Sequence, residues 1–323
     1  MTLRWGILAT GGIAHAFTTD LKGAGLTVAA VGSRAQRSAD AFARTFEIPV
    51  AHGTYEALAA DPGVDAIYIA TPHPQHVEAA RLALAGGKHV LIEKPITLTQ
   101  AEAAEIRDLA AANGLVAMEA MWTRYLPMMA RIREIIADGT IGDVRAVSAD
   151  HTQSISTDPA HRLNALDLGG GALLDLGIYP ISFAWDILGE PVSIKASARI
   201  GETGADTEVA TVMTHASGAL STTVSSSRSA GANTAHILGS SARIDIDRTW
   251  YNQATFTVTA PDGSVIERYE EKISGRGMQF QALALEKAVT QGVAPLLPVD
   301  ESARIMGTLD EIRRQIGVRY PGE

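Results

Sequence analysis

The sequence predicts an α/β fold with an N-terminal domain built on a parallel sheet and a C-terminal α+β domain that carries a large, mostly antiparallel open sheet. From Leu3 to about Glu119, apolar strand patterns alternate with helical patterns, as in parallel α/β sheets. From Pro191 to Arg268, about seven short runs rich in Thr, Ser and Val show the two-residue alternation of half-buried antiparallel strands. We therefore predict two domains, residues 1–122 and residues 123–323.

Composition narrows the class of protein. The chain has 323 residues, of which 46% are hydrophobic and 20% are charged, and no unbroken apolar run has membrane-spanning length. Its net charge is −9 with Lys and Arg scattered, so neither nucleic acid nor an anionic membrane is an expected partner. The chain has no cysteine, which excludes disulfides, thiolate nucleophiles and cysteine-ligated zinc. Because a strand pattern starts immediately and no signal sequence precedes it, we expect a cytoplasmic protein.

The elements of the first domain follow from apolar periodicity and glycine stops. The predicted strands are LRWGILA, LTVAAVG, AIYIA, HVLIE and VAMEA, with a shorter one at IPVA. Predicted helices begin near Ile13, Ala35, Tyr55, Pro74 and Thr99.

The second domain begins with a helix around residues 126–137 and a strand, DVRAVSAD, followed by a loop at 152–161. The segment GGGALLDLGIYP then leads into an apolar helix. Since Pro180 belongs in the first turn of a helix, we expect this helix to begin near Gly177 or Ile178, with Asp175 in the turn before it. After the strand-rich stretch, two helices from about Met278 and Glu301 close the chain.

A glycine turn follows the first strand. Ala9, Thr10, Gly11, Gly12 and Ile13 lie where strand turns into helix, and this position predicts a Rossmann dinucleotide-binding turn whose amides hold a pyrophosphate. Ala9 stands where a first glycine is expected. We expect the alanine to be tolerated with a negative φ, because only glycine adopts positive φ without cost.

The end of the second strand indicates which dinucleotide binds. NAD sites usually carry an acidic residue here for the ribose 2′-hydroxyl, whereas this chain has Ser33 and Arg34, with Arg37 in the next helix. A hydroxyl and guanidinium groups suit a 2′-phosphate, which favours NADP, with NAD as the alternative. The competing interpretation is that both arginines are solvated charges at a helix start.

Polar residues also follow the next two strands, at the edge where ligands of parallel sheets bind. Thr71, Pro72 and His76 follow AIYIA, and we expect them at the cofactor, with His76 contacting cofactor or substrate or else capping a helix. His73 and His76 have no evident third ligand, so no metal is expected. Glu93 and Lys94 follow HVLI, and the next residue, a proline, restricts Lys94 to extended backbone, with a cis bond as one option.

Four segments together resemble the glucose-fructose oxidoreductase/inositol dehydrogenase/MocA family: GILATGGIA, TPHPQH, AGGKHVLIEKP and GGGALLDLGIYP. MEAMWTRYLP further resembles its branch of dimeric trans-dihydrodiol dehydrogenases and NADP-linked D-xylose dehydrogenases. The resemblance implies a Rossmann domain, a second domain whose open sheet commonly forms a dimer interface, and reversible hydride transfer between NADP and a sugar, cyclic polyol or dihydrodiol. It also implies Trp122 as an apolar wall of the substrate pocket, with a core residue at the domain boundary as the alternative.

The expected catalytic residues are Lys94, Tyr179 and Asp175. Many relatives have a histidine at the position of Tyr179, whereas tyrosine matches the dihydrodiol and xylose branch. Tyr179 would be the general acid/base, and Lys94 its electrostatic partner and the group that orients the substrate, since a nearby cation favours phenolate. Asp175 would accept a substrate hydroxyl or hold Lys94. The alternatives are a packing role for Tyr179 and a helix cap for Asp175.

Three further polar residues could reach the substrate, but we favour a surface location for them: Arg124, Arg162 and His151. The expected function is that of an NADP-dependent dehydrogenase or reductase acting on a sugar, polyol or diol. The alternatives are a nucleotide-sugar ketoreductase and a non-catalytic NADP-binding regulatory protein. The resemblance also implies a homodimer or higher homo-oligomer, since a partner subunit is one way to cover an exposed sheet face.

Overall fold

The computed structural model describes residues 2–323 and begins with a six-stranded, all-parallel sheet in the order β3-β2-β1-β4-β5-β6. This is the doubly wound order of Rossmann folds and confirms the predicted fold class. The strands are β1 (Arg4–Leu8), β2 (Thr27–Gly32), β3 (Val50–His52), β4 (Ala66–Ile69), β5 (His89–Glu93) and β6 (Ala117–Ala120). The helices between them are α1 (Gly12–Gly23), α2 (Gln36–Phe46), α3 (Tyr55–Ala59), α4 (His76–Ala85) and α5 (Gln100–Ala112).

The core of this sheet is apolar because helices cover both of its faces. All four residues of β4 are buried, and the ring of Tyr68 stacks on Phe17 of α1 with 3.7 Å between ring centroids. Trp5 of β1 meets the same phenylalanine edge-on at 5.8 Å. These contacts fix the packing of α1 against the strands whose carboxyl ends carry the predicted site.

The second half of the chain forms an eight-stranded sheet in the order β14-β13-β12-β11-β7-β10-β9-β8. Its pairs are antiparallel except β7 with β10, so the sheet is mixed but mostly antiparallel, as predicted. The elements are α6 (Pro127–Ala137), β7 (Val144–Thr152), α7 (Ile178–Leu188), β8 (Pro191–Ile200), β9 (Asp206–His215), β10 (Leu220–Ser226), β11 (Ala235–Gly239), β12 (Arg243–Ile246), β13 (Phe256–Thr259), β14 (Val265–Tyr269), α8 (Gln279–Gln291) and α9 (Val299–Ile316).

One face of this sheet is exposed. Along β9 and β10, buried residues alternate with exposed ones, and Val212, Leu220 and Val224 are each between 45% and 49% exposed. The opposite face, which includes Met213, is buried against the rest of the unit.

Helix α7 begins at Ile178, as the position of Pro180 predicts, but Asp175 lies in a π-helical turn, Leu173–Gly177, and not in an irregular turn. Pro180 lacks the amide that would bond the carbonyl of Leu176 in an α-helix, which accounts for the break in the α-helical pattern. The stretch Leu166–Leu188 has the length and composition of a membrane span, yet 83% of its most apolar window is buried inside the protein, as in the core helix of a soluble domain.

The chain divides into two compact units. The first comprises the chain up to Tyr125 and Ile273–Ala303, and the second comprises Leu126–Lys272 and Arg304–Glu323. The predicted domains 1–122 and 123–323 differ from this division, because the segment around α8 returns to the first unit.

Side-chain contacts explain the return of α8. The carboxylate of Asp20 in α1 accepts the amides of Arg276 and Met278 just before α8, at 3.0 Å and 2.9 Å. Glu286 within α8 accepts the indole N–H of Trp5 at 3.1 Å. A prediction that divides the chain at one point cannot detect such long-range contacts.

Candidate active site

The turn after β1 presents free backbone donors at the start of α1. Gly11 precedes the helix without a side-chain cap, and the first turn contains no acidic residue. A Cβ added at Gly11 or Gly12 would meet no heavy atom within 4 Å, so the described residues leave this turn open. The first amides of a helix lack intrahelical partners and carry the positive end of its dipole, so this turn suits an anionic group such as a pyrophosphate.

The expectation of a negative φ at Ala9 is wrong, because its φ is +84°. The Ala9 amide donates to the carbonyl of Gly32 at 2.9 Å, which ties the turn to the end of β2. The chain must turn sharply from β1 into α1 while keeping that bond. Positive φ costs a non-glycine residue roughly 1–2 kcal/mol, so this position carries local strain.

At the end of β2, Ser33 is buried and its amide donates to the carbonyl of His52 at 3.0 Å, whereas Arg34 and Arg37 are exposed. Burial raises the pKa of Tyr55, and the guanidinium of Arg34, which hydrogen-bonds the phenol, opposes that shift. Tyr55, the first residue of α3, is a site neighbour that sequence reasoning missed. It holds the arginine near the strand end where a ribose 2′-substituent is expected.

His76 is fully buried at the first residue of α4. Its Nδ1 lies 2.8 Å from the carbonyl oxygen of Pro95, and its Nε2 lies 2.9 Å from that of Thr71. Burial lowers the pKa of the imidazole. Both ring nitrogens face backbone oxygens, so this geometry does not support the expected direct contact with cofactor or substrate. Thr71 is buried, and the neighbouring Pro72 is exposed.

Lys94 follows β5, and the Lys94–Pro95 peptide is cis, which was one of the predicted options. The preceding Glu93 is buried and accepts a hydrogen bond from the hydroxyl of Tyr68 through Oε1. The other carboxylate oxygen lies 3.3 Å from the amide of Lys94. The backbone of the predicted catalytic lysine is therefore bonded to a buried carboxylate.

A second buried carboxylate, which sequence reasoning missed, lies on β6. Glu119 Oε1 accepts the amide of Ile96 at 3.0 Å, and burial raises the pKa of this carboxyl to about 7. A Glu inside an otherwise apolar strand was the available signal. Trp122 and Arg124 follow in a 3₁₀ turn, and Trp122 is 7% exposed. The surface interpretation of Arg124 is wrong, because the residue is buried and pairs with Glu301 at 2.9 Å.

In the second unit, Asp175 is buried and receives both terminal nitrogens of Arg162, at 3.2 Å and 3.1 Å. The Arg162 side chain is 57% exposed, so its surface location is correct, but the interpretation missed this bidentate pair. Such a fork fixes the orientation of the carboxylate. Arg162 thus belongs to the surroundings of the predicted substrate-binding aspartate.

Tyr179 lies in an aromatic cluster with His151 and Tyr251. The ring of His151 meets Tyr179 edge-on at 4.9 Å and stacks on Tyr251 at 3.7 Å. Gln153 Nε2 lies 3.0 Å from His151 Nε2, and burial raises the pKa of Tyr251. The surface interpretation of His151 is wrong, since only 2% of the residue is exposed. Strand alternation along β7 could have indicated its burial, whereas no sequence signal identified Tyr251.

The triple glycine before Asp175 has a steric explanation. A Cβ at Gly170 would lie 2.7 Å from the carbonyl oxygen of Ala165, and Gly171 has a φ of +137°. Asp206, also missed from sequence, accepts the amide of Leu173 at 2.6 Å. Burial raises the pKa of Asp206 to about 6. These features shape the backbone that presents Asp175 and Tyr179. Across residues 2–323, the structure brings together no group of three or more His, Asp or Glu side chains able to hold a metal ion.

Two family models match the chain. Residues 3–121 match the oxidoreductase family with an NAD-binding Rossmann fold, and residues 129–245 match the GFO/IDH/MocA C-terminal domain. The matches follow the same order as the two sheets.

Characterised relatives match over nearly the whole chain. The trans-1,2-dihydrobenzene-1,2-diol dehydrogenase of Mus musculus is 37% identical over 99% of both chains. The D-xylose 1-dehydrogenase (NADP(+)) of Hypocrea jecorina is 34% identical, over 99% of this chain and 93% of its own length. The crystal structure of KijD10, a 3-ketoreductase from Actinomadura kijaniata in complex with NADP and TDP-benzene, is 27% identical, covers 98% of both chains and superimposes with a TM-score of 0.87. On these matches and on its Rossmann sheet, the chain belongs to the GFO/IDH/MocA family of oxidoreductases.

Proposed function

We propose that this oxidoreductase transfers a hydride between NADP and a secondary or anomeric alcohol of a sugar, a cyclic polyol or a trans-dihydrodiol. One observation carries the proposal: two suitable groups lie at the same edge of one parallel sheet. After β1, the N-terminus of α1 has no side-chain cap, and after β5, the backbone amide of Lys94 is bonded to the buried carboxylate of Glu93. The first suits a dinucleotide pyrophosphate, and the second suits an alcohol oxygen. The named activities of the mouse and fungal relatives support the same chemistry.

The residues that would hold NADP are those of the β1 turn, from Ala9 to Ile13, together with Ser33, Arg34 and Arg37 after β2. The open amides fit a pyrophosphate, and the exposed guanidinium of Arg34 fits a 2′-phosphate. Thr71, Pro72 and Glu93, at the ends of β4 and β5, complete the proposed cofactor site. When bound, NADP would supply the hydride acceptor or donor.

For alcohol oxidation, Tyr179 takes the hydroxyl proton while the carbon gives up its hydride. Lys94 donates a hydrogen bond to the substrate oxygen and stabilises the charge that develops there. Asp175, oriented by Arg162, accepts a neighbouring substrate hydroxyl. Trp122 supplies an apolar wall. Reduction of a carbonyl uses the same groups in reverse, with Tyr179 as the acid.

The first test is turnover. Purified protein is mixed with NADP or NAD and a panel of aldoses, inositols and trans-dihydrodiols, and the absorbance of reduced nicotinamide is followed. We expect reduction with NADP, and we expect Lys94→Ala and Tyr179→Phe to lower kcat by about 100-fold or more, as removal of a proton-transfer group does. Lys287→Ala, at an exposed lysine in α8, is the matched control and should retain wild-type turnover.

The outcomes separate the candidate functions. NADP binding without turnover on any alcohol or on the corresponding ketones would favour a regulatory NADP-binding protein. Turnover restricted to nucleotide-linked keto sugars would favour the ketoreductase alternative, which the likeness to KijD10 supports. Full activity of Tyr179→Phe would contradict the assignment of the acid/base.

A homodimer or higher homo-oligomer is part of the proposal. The exposed face of the second sheet carries a stripe of half-exposed apolar side chains, and pairing with a second copy would remove these from water.

A further inference from the structure

The segment Lys94–Ile96 is bonded to a buried ionisable side chain at each of its three residues. The Lys94 amide lies 3.3 Å from Glu93 Oε2. The Pro95 carbonyl oxygen lies 2.8 Å from His76 Nδ1, and the Ile96 amide donates to Glu119 Oε1 at 3.0 Å. Pro95 and Ile96 are buried, so their backbone groups must bond to protein and not to water. Backbone groups usually fill that role, whereas here all three partners are ionisable side chains.

The partners come from three different elements. His76 begins α4, Glu93 ends β5 and Glu119 lies within β6. The second ring nitrogen of His76 faces the carbonyl of Thr71, so the histidine connects the loops that follow the adjacent strands β4 and β5. Displacement of either loop must disrupt one of the two contacts of His76.

We propose that His76 and Glu119 are positioning residues that hold the Lys94–Ile96 segment so that the ammonium of Lys94 meets the substrate oxygen in one fixed place. This inference rests on the proposed function, because it takes Lys94 as the substrate-binding cation. In this inference His76 acts on Lys94 through the backbone of the Lys94–Ile96 segment. Glu119, on the neighbouring strand β6, positions the same segment through the Ile96 amide.

The electrostatic surroundings of His76 and Glu119 are consistent with a positioning role. Burial is the largest influence on His76 and lowers its pKa; the carbonyl contacts at Pro95 and Thr71 oppose this, and the charge of Lys94 adds to it. For Glu119, burial raises the pKa, while Arg124, Ser302 and the Ile96 amide oppose the shift and the charge of Glu93 adds to it. A neutral imidazole donates from one nitrogen only, and the proposal assigns that proton to Nδ1, which donates to the Pro95 carbonyl. The contact of Nε2 with the Thr71 carbonyl is then a close contact and not a second hydrogen bond.

Two substitutions at His76 separate its two contacts. The amide nitrogen of His76→Asn falls near the position of Nδ1 and can donate to Pro95, whereas that of His76→Gln falls near Nε2 and can reach only Thr71. We expect His76→Asn to keep kcat within about fivefold of wild type and His76→Gln to lower kcat by about 50-fold, because small misplacements of a reacting group cost up to 100-fold. The Kd for NADP should change less than about twofold in both variants, because neither substitution alters the glycine turn.

Lysine reactivity provides a readout that needs no turnover. Trace labelling with an amine-specific reagent, followed by peptide mass spectrometry, measures the labelling rate of Lys94 against that of Lys287, which is exposed on α8. We expect the Lys94 rate to rise about threefold or more in His76→Gln and to stay near wild type in His76→Asn, because only the former frees the loop to open. His215 is the matched control, since it is buried with Nδ1 2.7 Å from the Gly189 carbonyl, and His215→Gln should leave the Lys94 rate unchanged.

Two substitutions of Glu119 test the proposal independently if the His76 variants do not fold. Glu119→Gln keeps an oxygen that can accept the Ile96 amide, whereas Glu119→Met does not. We expect Glu119→Met alone to raise Lys94 labelling and to lower kcat with little change in the KM for the alcohol. Equal labelling in both members of each pair, or losses of kcat that merely follow losses of Tm, would overturn the proposal. If wild-type protein turns over no substrate, the proposed function fails. The labelling pattern still decides whether His76 and Glu119 hold the Lys94–Ile96 segment.

Discussion

Ala9 shows how a single side chain departs from the usual turn without changing its geometry. The alanine adopts a φ of +84°, the conformation that a glycine would take, and keeps its bond to Gly32. The turn is therefore imposed by the sheet and helix on either side of it. Its ligand-binding capacity lies in the backbone of Gly11 and Gly12, and the methyl group adds strain only.

Ala9→Gly should consequently stabilise the protein. Relief of positive φ gains roughly 1–2 kcal/mol, and the extra freedom of glycine in the unfolded chain removes about half of that, so we expect a net gain of up to about 1 kcal/mol. Thermal unfolding monitored by circular dichroism measures it. Ala14→Gly, at a buried helical position of α1, is the control and should destabilise the protein by about 1 kcal/mol or more. Destabilisation by both substitutions would show that Ala9 is not strained.

Asp206 predicts a pH dependence of stability. Its folded-state pKa of about 6 lies above the ordinary 3.8, so folding favours its protonated form. Stability relative to Asp206→Asn is therefore greatest near pH 4 and falls as the pH rises through 6, by up to about 3 kcal/mol at 1.36 kcal/mol per pKa unit. Urea unfolding of both proteins from pH 4 to 7 measures the difference.

The exposed Asp138 supplies a control of opposite sign. Hydrogen bonds from Thr140 hold the pKa of its carboxyl below the ordinary value. The stabilisation that ionised Asp138 provides is present above its ordinary pKa and is lost as the pH falls. The stability of wild type relative to Asp138→Asn should therefore not fall as the pH rises from 4 to 7. A difference between wild type and Asp206→Asn that stays constant with pH would contradict the raised pKa of Asp206.

Elements with a strong sequence period were predictable. The strands of the first sheet were found because each is an apolar run bounded by glycine or helix signals, and strands β8 to β14 were found through two-residue alternation. The π-helical turn Leu173–Gly177 was not, because its register depends on the missing amide of Pro180 and on packing around Gly171. Periodicity reports which face is buried and contains no information on a one-residue change of hydrogen-bond register.

Some residues around the candidate site could be singled out from the sequence, and others could not. Lys94, Ser33 and Arg34 could be placed at strand ends from the sequence alone, and the carboxyl ends of parallel strands share one edge. Their roles at that edge stay predictions. Glu119, Tyr251 and Asp206 were missed because their roles come from contacts with residues distant in sequence. His151 and Arg124 were misjudged for a related reason, because polar residue type predicts exposure on average. The stacking of His151 on a tyrosine and the ion pair of Arg124 with a glutamate lower the free-energy cost of burying them.

At the scale of the whole molecule, the exposed sheet face determines the expected assembly. Leu220 and Leu238 flank Ala146 on neighbouring strands, since each pairs with it in the register of the sheet. Val212 and Val224 extend this apolar stripe along β9 and β10. A monomer would leave all four side chains nearly half exposed, and a dimer of 34.0 kDa chains related by a twofold axis could bury the stripe against itself.

We therefore expect wild-type protein to elute as a dimer or higher oligomer and Leu220→Glu to shift the mass towards one chain, because a like-charged pair at a self-complementary interface is repelled and desolvated. Size-exclusion chromatography with light scattering measures the mass. Val265→Glu is the matched control: Val265 is 61% exposed but lies on the edge strand β14, away from the stripe, and this variant should keep the wild-type mass. A monomeric wild type, or equal dissociation of both variants, would refute pairing through this face; retention of alcohol oxidation by monomeric Leu220→Glu would show that each chain carries a complete active site.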